Sequence, residues 1–296
     1  MSNTAPSVDA LAAARVHRSE LRRVVRTLAR NRLVLAGFAL VVLVIAIAAL
    51  ADPVAPYDPI ANNVRAALQP PSAYYYFGTD RYGRDVFSRV IHGSRLSLFV
   101  ALVSVAASAL IGVTLGLVSG YYRGLVDNLI GRVFDILFSF PGLLLAIGVA
   151  AMLGPGLNNA IIALAVVFSP VFGRVVRGPV LVERGKEYVE AARVIGAGAP
   201  RIILGHVLPN VLSPLSVLAT ITFSQAILLE ANLSFLGLGT QPPQPSWGTM
   251  LQESRAFLET APWTSIFPGL AIMLSVLAFN LLGDGIRDVL DPRSRG

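Results

Sequence analysis

Six long apolar runs constrain the fold of this 296-residue chain more than any other feature. A helix needs about 20 consecutive apolar residues to cross a bilayer core. Runs close to that length occur at 33–51, 96–120, 129–152, 160–176, 211–232 and 265–282. With 54% hydrophobic and only 14% charged residues, the chain is also too apolar for an ordinary soluble domain. The sequence therefore predicts an all-α integral membrane protein with six transmembrane helices.

Two of the runs need a further decision. The first, Leu33–Ala51, ends in a small-residue pattern typical of signal-peptide cleavage, but it exceeds the usual ~7–15 apolar residues. We therefore expect an uncleaved first helix. The third run is interrupted by Pro141, which removes a helix hydrogen bond and should kink that span.

Basic residues are divided unevenly between the two sides that six spans define. The side with both termini and segment 183–210 carries 17 Lys and Arg, and the other side carries six. The positive-inside rule makes the first side cytoplasmic. It also accounts for the net charge of +7 without a nucleic-acid partner. The predicted regions are a cytoplasmic tail at 1–32, an extracytoplasmic loop at 52–95, a core domain at 96–285 and a cytoplasmic tail at 286–296. The cluster Arg81–Arg95 runs against the rule.

The loop at 52–95 contains a short amphipathic pattern. Val86, Phe87, Val90 and Ile91 form an apolar stripe, which predicts a helix lying in the membrane interface. The arginines beside the stripe have three interpretations: they attract a peptide carboxylate, they contact phospholipid head groups, or they pair with Asp80 and Asp85.

A ridge of small residues marks the second span. Residues of this kind let helix backbones approach closely in lipid, so we expect a helix-packing face. The ridge recurs every fourth residue, at Ser104, Ser108, Gly112, Gly116 and Gly120.

The fifth span carries a polar stripe and one carboxylate. Such a stripe either hydrogen-bonds to neighbouring helices or lines an aqueous path. The candidate path residues are Ser213, Ser216, Thr220, Ser224, Gln225 and Glu230. An acid inside a membrane is a functional candidate, although a structural salt bridge near the interface also explains Glu230.

Motifs for catalysis and metal binding are absent from the sequence. There is no cysteine, and the three histidines are far apart with no HExxH pattern. The only lysine, Lys186, is followed by Glu187, so no phosphate-binding loop exists. We expect no metal, no cofactor and no ATP hydrolysis on this chain, so energy must come from a partner or an ion gradient.

Residues 187–210 are a polar-containing segment between apolar runs. The helical pattern from Lys186 to Ile195 ends at Gly196, a residue suited to the left-handed conformation of a helix end. A second short helix follows from Arg201 to Leu208, and Pro209 is expected to close it. The segment therefore predicts a helical hairpin in which small Ala191 and Ala192 allow deep insertion into a partner.

The hairpin resembles the EAA loop of ABC importer permeases. Glu190-Ala191-Ala192, Gly196 and Leu208-Pro209 carry the resemblance, with His206 where the family usually has isoleucine. Three further segments are similar to the C-type subunit of dipeptide/oligopeptide permeases, a family that also includes nickel importers. They are FGTDRYGRDVFSRVIHGSRLSL at 77–98, NLSFLGLGTQPPQPSWGTML at 232–251 and NLLGDGIRDVLDPR at 280–293.

This resemblance implies a type I ABC importer permease fold in a bacterial or archaeal inner membrane. It implies four kinds of partner: a B-type permease, two ATPase subunits that bind ATP and Mg²⁺, an extracytoplasmic substrate-binding protein, and lipid. The residues implied to couple this chain to the ATPases are Glu187, Glu190, Ala191, Ala192, Gly196, Leu208 and Pro209. The cargo stays open among dipeptides, oligopeptides, nickel chelates and other small solutes. The alternatives are an ion-driven secondary transporter and a non-transporting scaffold.

Overall fold

The computed structural model describes residues 32–290, with side chains for 34–287 apart from Ser213. Within this part the regular elements are helical, and one isolated bridge pairs Thr79 with Asp85. The α-helices are α1 (Arg32–Ala49), α2 (Ala51–Val54), α3 (Val86–Tyr122), α4 (Gly124–Phe138), α5 (Gly142–Leu153), α6 (Leu157–Glu183), α7 (Glu187–Val194), α8 (Ala199–Ile202), α9 (Leu208–Phe235), α10 (Trp247–Ser254) and α11 (Trp263–Leu290). A π-helical segment, Ile203–Val207, joins α8 to α9. The first 31 residues and the last six, which hold most of the two predicted tails, lie outside the described residues.

In the described part of the chain, four helices are long and apolar enough to cross a bilayer: α3, α6, α9 from Pro214, and α11 to Arg287. The pair α4–α5 supplies another apolar segment, and α1 contains the shorter apolar stretch Val34–Ala49. All six apolar runs therefore lie in helices, and the prediction of an all-helical membrane protein is confirmed.

The third predicted span is two helices rather than one kinked helix. α4 and α5 meet at an angle of 95°. Pro141 adopts an extended conformation, with φ −55° and ψ 130°, and stands at the N-cap of α5. Proline lacks the amide hydrogen and disfavours helical geometry at the preceding residue, so the ladder breaks here instead of bending.

The small-residue ridge lies where α3 meets α6. A Cβ at Gly112 would lie 2.2 Å from the carbonyl oxygen of Ser169, and one at Gly116 would lie 2.4 Å from that of Gly173. A Cβ at Gly120 would lie 2.8 Å from the side chain of Val180. Ser104 and Ser108 are buried on the same helix. The backbones of α3 and α6 thus approach too closely for larger side chains at the three glycines.

The helix expected at the membrane interface is instead the beginning of α3, which continues unbroken from Val86 to Tyr122. Asp85 caps it by accepting a hydrogen bond from the backbone N–H of Ser88 at 2.8 Å. Burial raises the pKa of the Asp85 carboxyl above its usual value. No proline separates the amphipathic pattern from the apolar run, and Gly93 between them is helical, so the helix is continuous.

Two buried arginines join the segment before α3 to α10. We call residues 55–85 the cap segment. Arg84 donates to Asp80 Oδ2 and to Glu253 Oε2, both at 2.6 Å. Arg89, 1% exposed, donates to the same Glu253 oxygen at 3.0 Å and lies 3.6 Å from Asp80. Of the three interpretations of these arginines, pairing with Asp80 is correct, whereas Asp85 serves as a helix cap.

Candidate functional site

The segment resembling the EAA loop forms a hairpin at the end of the bundle where α3 and α6 terminate. α7 ends in a Schellman motif: Ala197 N–H donates to the Ala192 carbonyl at 3.0 Å and Gly196 N–H to the Arg193 carbonyl at 3.1 Å. Gly196 has φ +88°, and a Cβ there would meet no atom of the described residues within 4 Å. The positive φ therefore favours glycine at this corner. Crowding does not, because a side chain would fit in the space around it.

The second arm differs from the predicted short helix. α8 passes through the π-helical segment directly into α9, and Pro209 lies in the first turn of α9 instead of closing a helix. The Leu208 N–H donates to the Ile203 carbonyl in the π-helical pattern, so the helix runs continuously into Pro209, which has no N–H to donate. The hairpin is thus connected to the fifth span without a loop.

One face of α7 is buried against the chain itself. Val189 and Ala192 pack in an apolar cluster with Val180, Ile202 and Val207. Ala192 is therefore covered by its own subunit, contrary to the expectation that both alanines admit a partner. Ala191 points outward and is exposed.

The exposed face of the hairpin is polar along α7 and apolar at its corner. Glu187 and Glu190 are exposed on α7. Val194 is 86% exposed and Ile195 is 84% exposed. The sequence pattern alone did not single out this pair. Their position in the sequence could have indicated their exposure. Two β-branched residues stand immediately before the corner glycine, after Ala192, the last residue of α7 that packs in the apolar cluster.

A hydrogen-bonded chain connects the hairpin to two spans. Tyr188 in α7 donates its hydroxyl to the Glu183 carboxylate at the end of α6. Asn210 in α9 donates to the Tyr188 hydroxyl at 3.2 Å and to the His206 carbonyl at 2.7 Å. The bond to Glu183 raises the pKa of the Tyr188 phenol. This link fixes α7 between the ends of α6 and α9.

The polar stripe of α9 divides into two groups. Ser224 donates to Asn280 Oδ1 in α11 at 2.6 Å, and Thr220 would be 2.7 Å from a Cβ at Gly283 of α11. These two residues serve helix packing. Ser216 and Gln225 are exposed, which leaves them able to line a path, and the side chain of Ser213 lies outside the described residues.

Glu230 is enclosed near the far end of α9. The residue is 1% exposed, and Ser234 Oγ donates to its Oε1 at 2.7 Å. The hydroxyls of Ser97 in α3 and Ser246 before α10 face the same group. No ion pair involves Glu230 among the described side chains, so the salt-bridge interpretation is wrong. Serine hydroxyls serve as the hydrogen-bond donors to this carboxyl group instead.

Comparison with known proteins places the chain among transport proteins. Residues 112–296 match the family described as binding-protein-dependent transport system inner membrane component, and residues 19–71 match the N-terminal TM domain of oligopeptide transport permease C. The dipeptide transport system permease protein of Alkalihalophilus pseudofirmus is 47% identical over 94% of this chain and 91% of its own length.

Two other relatives have similar coverage. The di/tripeptide transport system permease protein of Pseudomonas aeruginosa is 46% identical over 94% of each chain. The glutathione transport system permease protein of Pectobacterium atrosepticum is 45% identical over 93% of this chain and 92% of that protein.

The fold agrees with solved structures. A structure of the inward-facing MetNI methionine ABC transporter matches 69% of this chain and 97% of its own chain, with a TM-score of 0.56 and 22% identity. A second crystal form matches with a TM-score of 0.54 and 23% identity, over 68% of this chain and 96% of that chain. The predicted importer-permease fold is therefore confirmed, and the chain belongs to the family of binding-protein-dependent transport system inner membrane components.

Proposed function

We propose that this chain is the C-type permease subunit of an ATP-driven importer of di- and oligopeptides. It forms half of the translocation path and couples to cytoplasmic ATPase subunits through the Glu183–Asn210 hairpin. The observation that carries the proposal is the hairpin itself, which anchors one face on α3 and α6 and exposes Val194 and Ile195 at its corner. Exposed aliphatic residues beside charged ones are typical of a surface that another protein covers.

The hairpin suits force transmission because it cannot move independently of the spans. Val189 and Ala192 are packed against the helix ends, and Tyr188 bonds to both Glu183 and Asn210. A displacement of the hairpin by an ATPase groove therefore moves α6 and α9 with it. Alternating access follows if the ATPase binds the hairpin differently in its two nucleotide states.

The remaining components lie outside this chain. ATP and Mg²⁺ bind to the two ATPase subunits, a related B-type permease supplies the other half of the path, and an extracytoplasmic receptor delivers the solute. Both termini and the hairpin lie in the cytoplasm, as the distribution of basic residues indicates. The names of the relatives support peptides as cargo ahead of nickel chelates.

The test uses the complete transporter reconstituted in liposomes, with ATP hydrolysis and peptide uptake measured together. Replacing Val194 and Ile195 with serine, or Glu190 with lysine, should lower uptake per ATP hydrolysed while membrane insertion stays normal. Glu259→Lys is the matched control, since Glu259 is also exposed but lies outside the hairpin. Normal coupling in both hairpin variants would refute the proposed role.

One observation favours the second candidate, an ion-driven transporter: Glu230 is an enclosed acid within a membrane helix. Uptake by this chain alone, driven by a proton gradient without ATPase subunits, would support that function and contradict the first.

A further inference from the structure

A cavity of about 490 Å³ opens between the cap segment and the region following α9. This size lies within the range of ligand-binding pockets. Its lining includes Arg81, Tyr82, Asn62 and Gln252, together with Arg84 and Glu253, which form an ion pair with each other. The cavity therefore offers polar groups and a cation at the surface of the protein, away from the hairpin.

The basic cluster that runs against the charge rule is mostly neutralised internally. Arg84 and Arg89 pair with Asp80 and Glu253. Arg95 donates to both oxygens of Asp52 at 3.0 Å. Arg81 has no ion pair among the described side chains. Within the cluster, Arg81 is thus the arginine without an ion pair among the described side chains, and it lines the cavity.

The side chain of Arg81 is held in place by a neutral group. Its Nη2 donates to the Tyr82 hydroxyl at 2.5 Å, and its guanidinium carbon lies 4.5 Å from the centre of the Tyr82 ring. The guanidinium of Arg84 also lies 4.5 Å from that ring. Tyr82 therefore orients Arg81 without neutralising it, which leaves a positioned cation for an external carboxylate.

The cap segment also exposes several tyrosines. Tyr57, Tyr74 and Tyr76 are exposed on the cap segment, and none of them lines the cavity. Tyrosine and arginine are enriched at the energetic centres of protein interfaces. A small ligand that filled the cavity would leave these aromatic rings uncovered. A protein partner would cover the cavity and the rings together.

We propose that the cap segment is the docking surface for an acidic segment of the extracytoplasmic solute receptor, with an aspartate or glutamate side chain bound by Arg81. This inference rests on the proposed function, which supplies the receptor and places the cap segment outside the cell. The basic residues that oppose the charge rule thereby gain a role in recognition.

The experiment measures binding of the transporter's own purified receptor to the complete transporter in phosphatidylcholine nanodiscs. Arg81→Glu should weaken the affinity by about tenfold or more and reduce its dependence on salt, because a charge pair becomes a repulsion. Arg81→Gln should give a smaller loss of receptor affinity. It replaces Arg81→Glu as the test variant if the reversed charge impairs assembly of the transporter. Arg255→Glu is the matched control: this exposed arginine also has no ion pair among the described side chains but lies outside the cavity.

Receptor affinity that is unchanged in both Arg81 variants would overturn the proposal. Two other results would also overturn it. Loss of radiolabelled dialanine binding to the receptor-free transporter, with receptor affinity intact, would make the cavity a substrate site. If the Arg81 variants lost phosphatidylglycerol that the unaltered transporter retains, while receptor affinity stayed intact, the cavity would be a lipid site. The Arg81→Glu transporter should still bind its ATPase subunits, so a failure of receptor docking can be told apart from a failure of the hairpin. The role of the hairpin is tested independently by the variants at Val194, Ile195 and Glu190.

Discussion

Arg177 in α6 donates hydrogen bonds of 2.6 Å to both carboxylate oxygens of Asp127 in α4. The two residues are 50 positions apart in sequence. Ser119 in α3 also donates to Asp127 at 2.5 Å, so a single carboxylate joins three helices near the hairpin. Since α4 otherwise exposes most of its apolar side chains, this contact is a major restraint on its position.

We expect the Asp127–Arg177 pair to stabilise the fold modestly. A double-mutant cycle with Asp127→Asn and Arg177→Met should give a coupling energy of about 1 kcal/mol, because Arg177 is partly solvated and screening weakens the pair. Chemical unfolding in detergent measures it. The same cycle on Arg174 and Asp135, a more exposed pair, should give a smaller coupling energy. A larger coupling energy there would contradict the view that solvent screening sets the strength of these pairs.

Tyr188→Phe should weaken coupling without disrupting the fold. The change removes only the hydroxyl that joins Glu183 to Asn210, while the ring stays near His206. Uptake per ATP hydrolysed should fall several-fold in proteoliposomes. Tyr122→Phe, at an exposed tyrosine close by, is the control, and equal uptake in the two variants would exclude a role for the link.

Gly116→Ala should destabilise the protein by about 1–3 kcal/mol, the typical cost of overpacking. The added methyl group would lie 2.4 Å from the Gly173 carbonyl oxygen, a backbone atom that cannot easily shift. Gly178→Ala in α6 is the matched control, since a Cβ there meets no atom within 4 Å. That variant should be neutral or more stable by up to ~1 kcal/mol. Thermal unfolding in detergent compares the two.

Glu230→Ala should lower thermal stability more than Glu230→Gln does. Glutamine keeps an oxygen for the Ser234 hydroxyl, whereas alanine leaves a cavity and unpartnered hydroxyls at a cost of about 1–3 kcal/mol. Peptide uptake should survive in Glu230→Gln. If uptake were abolished while stability was retained, Glu230 would act as an ion carrier, and the ATP-driven function would lose support.

The apolar runs predicted the helices well because a bilayer requires backbone hydrogen bonds to be satisfied within each segment. The turn at Gly196 was predicted for a similar local reason, and its positive φ confirms it. Local rules were less reliable at proline. Pro141 caps the start of a new helix where a kink was predicted, and Pro209 lies in the first turn of α9 where a helix end was predicted. Proline has no N–H to donate, so it is compatible with the start of a helix as well as with a break, and its presence alone does not distinguish the two.

Contacts between residues far apart in the chain could not be predicted from the sequence pattern. Glu253 lies 164 positions after Arg89, and nothing in the local sequence of either residue indicates the pairing. The inward position of Ala192 and the outward position of Ile195 depend on where α7 lies against α3 and α6. The coupling assignments remain predictions, because the partner that would contact those residues is a separate protein.

The contact between α3 and α6 has a consequence for how the protein changes shape. Because the two backbones touch at Gly112 and Gly116, neither helix can slide or rotate against the other without an immediate steric clash. They must travel as one rigid body, and any rearrangement during a transport cycle has to occur at looser boundaries. The 95° junction between α4 and α5 is such a boundary, so a spin label placed there should report motion that a label pair across α3 and α6 does not.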